Sequence, residues 1–346
     1  MRKLRILALL TIPLLFHATG LQAQADPEAV AYLNRLSASL DELKGETWQY
    51  LKAVTRGKGA KKVENKRQKL LKELQAVKAD VKQQKAYQSD NTLKNSVIQY
   101  LSLTHTVISE DFGKILNMEE IAEQSYDLME AYLLAKEKAN EKLDSAMVLA
   151  QEAQNQFAAK HNITILEGEA DKMSRKIQRA GETLSYYNDV YLIFFKSYKQ
   201  EMYVLDAIQR NDVSALEQNL SALQSFASEG LDNLKARGNY QNDATLRLAA
   251  QQILGFYRTE AEKDFASMVD FYIKKDTYEK VQKRFEAISP KKRTQQDIDQ
   301  YNQAVNEFNE AAEAFNQRNE KTYQQRVKHI DQWNRQVETF LTKHAG

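Results

Sequence analysis

Apolar residues recur along this chain at three- and four-residue intervals, so the pattern predicts helix nearly throughout. Leu33, Leu36, Leu40 and Leu43 keep 3-4-3 spacing, continued by Tyr50 or Leu51 and by Val54. Asp26 offers a cap, Pro27 suits the first helical position, and Glu28 suits the positive end of the helix dipole. Gly57-Lys58-Gly59 ends this first helix. A second is expected from about Lys61 to Lys85, with Leu70, Leu74, Val77 and Val81 on one face. Ser89-Asp90-Asn91 is a turn and cap, and a third helix carries Leu93, Val97, Leu101, Thr104 and Ile108.

A fourth helix runs from Met118 to about Lys160. His161-Asn162, the β-branched Ile163-Thr164-Ile165 and Gly168 then mark a break between an N-terminal half, 26–160, and a C-terminal half, 161–346. Met173, Ile177, Ala180, Leu184, Tyr187, Tyr191, Phe194 and Tyr198 alternate 4-3 spacing, a coiled-coil-like seam. Val213, Leu216, Leu220 and Leu223 begin a helix that ends near Gly238. Another spans Leu246 to Tyr272, resumes through Tyr278 and Phe285 after a disturbed register, and stops at Ser289-Pro290. The last helix opens with Thr294-x-x-Asp297, a capping-box-like signal, and runs to about Lys343, roughly 75 Å at helical rise. Its Ile298, Tyr301, Val305, Phe308, Ala312 and Phe315 keep a strict heptad. The stripe then slips by about one position through Tyr323, Val327, Ile330 and Val337, as in a stutter. No short tandem repeat is visible, though two halves of about four helices each hint at duplication. The stripes are narrow and the opposite faces charged, so each helix must bury one face. The expected fold is all-α: an elongated antiparallel helical bundle with coiled-coil-like seams and about eight helices.

The N-terminus changes this picture first. Arg2, Lys3 and Arg5 precede an apolar run, Ile6 to Phe16, and Ala23-Gln24-Ala25 is a small-x-small site. These read as a signal peptide, 1–25, cleaved after Ala25, with an apolar run too short to span a bilayer. The expected location is the periplasm or the cell surface. Removing the signal leaves 46 Lys and Arg against 47 Asp and Glu, a near-neutral chain that argues against a general polyanion binder and against nucleic acid as a partner, while leaving room for a local basic patch. There is no cysteine, which excludes disulfides, thiolate zinc sites and a thiol nucleophile. No second apolar run of membrane length follows, so no transmembrane segment is expected in the mature chain.

Chemistry is sparse. His105, His161, His329 and His344 lack an acidic residue at i−3, i+3 or i+4, so neither the di-iron nor the zincin spacing is present and no metal site is expected. There is no Gly-x-Ser-x-Gly, phosphate loop or dinucleotide fingerprint. The chain therefore reads as non-catalytic and free of cofactors. Two features rise above this background. Tyr186, Tyr187, Tyr191, Phe194, Phe195, Tyr198 and Tyr203 form either core or a groove for an apolar ligand or partner helix. Lys52, Arg56, Lys58, Lys61, Lys62, Lys66, Arg67, Lys69 and Lys72 crowd one helix-turn-helix corner, with Trp48 and Tyr50 just before and Glu64 alone offsetting them after Glu46. Such a corner is either a solvated hairpin or a contact for an anionic surface, whether lipid headgroups, an acidic glycan or an acidic partner. Its candidate binding residues are Trp48, Tyr50, Arg56, Lys58, Lys61, Lys62, Lys66 and Arg67.

The same stretch carries a family resemblance. Glu46-Thr47-Trp48-x-Tyr50, Ala53-Val54, Arg56-Gly57-Lys58 and Ala60-Lys61-Lys62-Val63-Glu64-x-Lys66-Arg67 resemble the N-terminal signature of an uncharacterised family of bacterial exported, all-helical surface proteins. The resemblance is most specific over 46–67 and implies an extracytoplasmic protein, with no activity or ligand attached. Two roles are then expected. One is a cell-envelope or surface protein acting by protein contact or spacing, with a protein partner or a second copy docked on its heptad seams. The other is a helical binding module for an anionic envelope component at 52–72 or a small apolar ligand at 186–203.

Overall fold

The computed structural model describes residues 26–55, 60–113, 121–165 and 172–345. The expected signal segment 1–25 and the candidate site residues Arg56 and Lys58 lie outside them. The described residues form ten α-helical stretches, two π turns and one 3₁₀ turn, and no strand among them. The excess over the expected eight comes from a break at Glu42, which divides α1 (Pro27–Asp41) from α2 (Leu43–Thr55), and from a π turn that interrupts a later helix. Packing separates the chain into two compact units, Met1–Asn188 with Glu338–Gly346, and Asp189–Val337.

In the first unit α1 begins as its sequence requires, with Asp26 Oδ1 accepting from the Glu28 N–H at 2.9 Å. Next come α3 (Ala60–Gln83) and α4 (Thr92–Thr106), the latter continuing into a π turn, π1 (Val107–Asp111). The long α5 (Tyr126–Lys160) runs antiparallel to α4, with Lys142 on Asp111 at one end and Lys160 on Asp90 at the other. Leu70, Leu74, Val77 and Val81 of α3 are all buried, as are Leu93, Val97 and Leu101 of α4. Each such side chain contributes about 1.5–3 kcal/mol, so the stripes rather than the helical backbone hold the unit. A π turn widens the helix and leaves main-chain carbonyls without their usual donors. Arg67 serves them: Nη1 donates to the Ile108 and Ser109 carbonyls at 2.8 and 3.1 Å, while Nε and Nη2 clasp Glu64 at 2.8 Å each.

The second unit contains the C-terminal part of α6 (Lys172–Gln209), then α7 (Val213–Arg237), α8 (Thr245–Thr259), π2 (Glu260–Asp264) and α9 (Phe265–Ala287). After a 3₁₀ turn at Pro290–Lys292 the chain enters the 51-residue α10 (Gln295–Ala345). Thr294 and Asp297 form the expected reciprocal cap, with each backbone N–H donating to the other's side chain.

One stretch of each unit follows the same design. Tyr240 stands 153 positions after Tyr87, Val213 after Ala60, Thr245 after Thr92 and Glu260 after Val107, so α3, α4 and π1 recur as α7, α8 and π2 in register. Both turns read Tyr-Gln-x-Asp-x-Thr-Leu, at Tyr87 and at Tyr240. In each, the Gln is left-handed (φ 48° and 51°) and the Asp N–H returns to the Tyr carbonyl at 2.8 Å. The Asp side chain then caps the next helix through the N–H of Thr92 or Thr245. The buried stripe Val63, Arg67, Leu70, Leu74, Val77, Val81 is matched by Leu216, Leu220, Leu223, Ala227, Gly230, Leu234. At Gly230 a Cβ would stand 2.9 Å from Leu254 Cδ1, so the second copy packs this helix pair more closely. The hinted duplication is therefore present. Its period is far longer than a tandem repeat, and few residues outside the turn are shared.

The second unit adds a hairpin. Phe271, Tyr278 and Phe285 of α9 stack on Phe315, Phe308 and Tyr301 of α10 at 4.4–4.9 Å, and Lys274 pairs with Glu307 at 2.8 Å. The heptad of the last helix thus pairs with α9, which leaves Tyr301, Phe308 and Phe315 half-buried and Ile298 exposed. The slip in the stripe falls where α10 leaves α9. Beyond it Thr322 and Trp333 are buried, while Tyr323 and Val327, expected on the buried face, are exposed.

Arg67→Leu tests the role given to Arg67. The equivalent of Arg67 in the second copy is Leu220, so the new side chain fits the stripe. It leaves the Ile108 and Ser109 carbonyls without Arg67 and Glu64 with Gln68 alone, and chemical denaturation is expected to show a loss of about 2–3 kcal/mol.

Candidate functional site

The basic corner folds into a groove of about 470 Å³ between α2 and α3, lined by Gln49, Lys52, Ala53, Lys62, Asn65, Lys66 and Lys69. On α3 the 62-65/66-69 spacing places these side chains on one face, and Lys52 faces them from α2. Ala53 forms the buried floor, and the two amides are exposed. Among the described residues none of the four lysines forms an ion pair. Glu64, the one acid of this stretch, is held by Arg67, and that hydrogen bond keeps its carboxyl below the usual range. Four ammonium groups therefore share one concavity with no counter-charge, an arrangement that an anion stabilises.

The candidate residues separate accordingly. Lys62 and Lys66 line the groove, and Lys61 is exposed beside it. Trp48, Tyr50 and Arg67 are corrections to the expected site: all three are buried, the first two in the core of α2 and the third under the π turn. Lys176 of α6 lies 5.4 Å from the centroid of the Trp48 ring and adds a cation beside α2 that local sequence did not reveal. Gln49 and Asn65 were also missed; their signal is position on the same helical face as the lysines.

The duplicated corner supplies an internal comparison. The positions equivalent to Lys62, Lys66 and Lys69 are Ala215, Asn219 and Ala222. There Gln200 Nε2 donates to the Asn219 carbonyl and side-chain oxygens at 3.1 and 3.0 Å, and Asn219 Nδ2 donates to the Tyr203 carbonyl. The same fold thus closes this corner with amides when lysines are absent. The lysines are not a requirement of the helical hairpin.

The second copy has its own polar centre, which residue spacing does not reveal. Glu260, the first residue of π2, and Glu201 of α6 are both buried and share Arg326 of α10; Arg326 Nη2 is 2.5 Å from Glu260 Oε1, and Nε donates to Glu201. Among the described residues Glu260 Oε2 and the Tyr257 hydroxyl have no hydrogen-bond partner. Burial, and then the charge of Glu201, push the Glu260 carboxyl up to about 9, so it holds its proton near neutrality. Burial likewise raises Glu201. The equivalent of Glu260 in the first copy is Val107. The available signal was a charged residue on each apolar stripe; the partners are too far apart in sequence to be joined by inspection.

The aromatic cluster is core. Tyr186 packs on Phe340 in the first unit, and Phe194 stacks on Trp333 at 4.6 Å in the second, while Tyr191 stacks on Phe195. Tyr203 alone of the seven is exposed. These rings occupy the volume an apolar ligand would need. Among the described residues, no three His, Cys, Asp or Glu side chains are placed to hold a metal ion, and no helix is long and apolar enough to cross a membrane. His105 and His329 are held below the usual histidine range, chiefly by burial.

No protein-family model, no curated protein and no solved structure matches the chain.

The buried acid pair makes a pH prediction. Glu260 binds its proton with a pKa of about 9 when folded and near the ordinary 4.5 when unfolded, so the folded state holds the extra proton between these values. This contribution to stability is complete below about 4.5 and is lost as pH rises through about 9. His105 and His329 act in the opposite direction near pH 6.5, so the window to measure is pH 7–9. Urea midpoints are expected to fall across it in the native chain and to stay level in Glu260→Gln.

Proposed function

We propose that this chain is an exported, non-catalytic helical protein that holds an anionic group of the cell envelope in the α2–α3 groove. The observation that carries this reading is the set of four lysines without ion pairs, gathered around one concavity at a corner whose second copy has Ala, Asn and Ala instead. Like charges placed together weaken the ligand-free fold, and the duplicate has no need of them. Export is supported by the basic, apolar and small-x-small order of residues 1–25 and by the resemblance over Glu46 to Arg67. Contact through the seam of the last helix is the weaker reading, because α9 already occupies the first half of that seam.

Two measurements test this. Mass spectrometry of the protein recovered from the envelope fraction is expected to place the mature N-terminus at Asp26; a full-length chain retained in the cytoplasm would overturn export. A variant carrying Lys62→Ala, Lys66→Asn and Lys69→Ala adopts the residues the second copy uses, so it is expected to keep its helical circular dichroism and melting temperature. Its affinity for anions at low salt should drop roughly tenfold, three solvent-accessible charge contacts being lost. A control with Lys235→Ala, Lys291→Asn and Lys321→Ala changes net charge equally and should bind as the native chain does. Equal losses in both variants would reduce the groove to bulk charge.

A further inference from the structure

The groove also constrains the shape of what it holds. Lys62, Lys66 and Lys69 follow one another along α3 at about 6 and 4.5 Å of helical rise, close to one cation per turn. The row has an end: Glu73, half-buried, is the next residue on that face. Lys52 stands across the groove, and the exposed amides of Gln49 and Asn65 lie between the charges. A single compact anion would draw ammonium groups to one point. Here three of them form a line over about two turns, with hydrogen-bonding amides in the same groove.

The surroundings discriminate among linear polyanions. Single-stranded nucleic acid is bound by pairing a cationic track with aromatic platforms for the bases. The aromatics of this corner, Trp48 and Tyr50, are both buried and cannot serve. A flat bilayer meets the rims of a groove before its floor, which leaves the half-buried Lys52 and Lys66 poorly used. An extended sugar chain with one acid group per ring repeats at about the length of a helical turn. It brings hydroxyls that amide side chains recognise and needs no stacking surface.

We infer that the α2–α3 groove holds a short run of an extended acidic glycan, its carboxylates on Lys62, Lys66, Lys69 and Lys52 and its hydroxyls on Gln49 and Asn65. This rests on the anion-binding reading above and adds the class of ligand. The row presents three cations over about two turns, so about three charged rings, one per cation, fill it.

Titration calorimetry of the purified protein with galacturonate oligomers of one to six rings tests this. Affinity is expected to climb from one ring to about three and then level off. It should weaken steeply with added salt, since counterions and screening compete at each contact. The Lys62→Ala, Lys66→Asn, Lys69→Ala variant should lose roughly tenfold on the trimer and little on the monomer. Gln49→Ala with Asn65→Ala should weaken the trimer without changing the salt dependence. If one galacturonate ring, or inorganic phosphate, binds as tightly as the hexamer and the lysine variant loses it, the groove takes a compact anion and the glycan inference falls while the anion site stands. If vesicles containing anionic lipid, or single-stranded DNA, bind through the same lysines in preference to the oligomers, the glycan is the wrong polymer. If no anion binds in a lysine-dependent way, both readings fall together.

Discussion

Removal of one narrow stripe per helix from water is the constraint on which this molecule depends. Val63, Leu70, Leu74, Val77 and Val81 on α3, and Leu93, Val97 and Leu101 on α4, are buried along lines only one or two residues wide. Helices of this kind are stable in water chiefly through such packing. The Tyr-Gln-x-Asp turn then matters because it fixes how the α3 and α4 stripes meet. A left-handed Gln, joined by left-handed Ser89 in the first copy, reverses the chain, and one aspartate closes the turn and starts the next helix. The whole arrangement recurs 153 residues later with the same stripe and the same π turn.

Because the stripe does the holding, everything off it is free to change, and the two copies have used that freedom differently. The first has Val107 where the second has Glu260, and turns its outer corner into a row of cations. The second keeps that corner neutral, joined by Gln200 and Asn219, and places Glu201, Glu260 and Arg326 inside. Both copies retain the π turn but serve it differently. Arg67 reaches it from within the stripe in one, whereas α10 supplies Arg326 and Arg318 in the other. A buried charged cluster is stabilised only when its partners are all present, so the second unit depends on α10 in a way that the stripe residues alone would not require.

Much of the fold was legible from spacing and caps. Asp26, Asp90 and Thr294 with Asp297 each begin a helix where their side chains can accept the first free N–H groups, a local requirement that needs no knowledge of neighbours. The break at Glu42 was not legible, because Leu40 and Leu43 sustain the stripe across it. The slip in the last helix was visible but misassigned. Which of Thr322 and Tyr323 turns inward depends on which helix lies opposite, and hydrophobicity favours the wrong one. The candidate site was legible as a density of lysines, not as a groove. Trp48, Tyr50 and Arg67 share its sequence and not its surface, since residues adjacent in a helix point to different faces.

Residue spacing alone therefore determined that this chain is helical, where most helices start, and that one corner carries an excess of positive charge, because all three follow from interactions within a few residues. Tertiary structure alone decided that the corner is concave, that Arg67 leaves the surface to serve a π turn, and that Glu260 meets Glu201 and Arg326. Those outcomes rest on contacts between residues tens of positions or more apart, and their energies exist only once the stripes have brought the helices together.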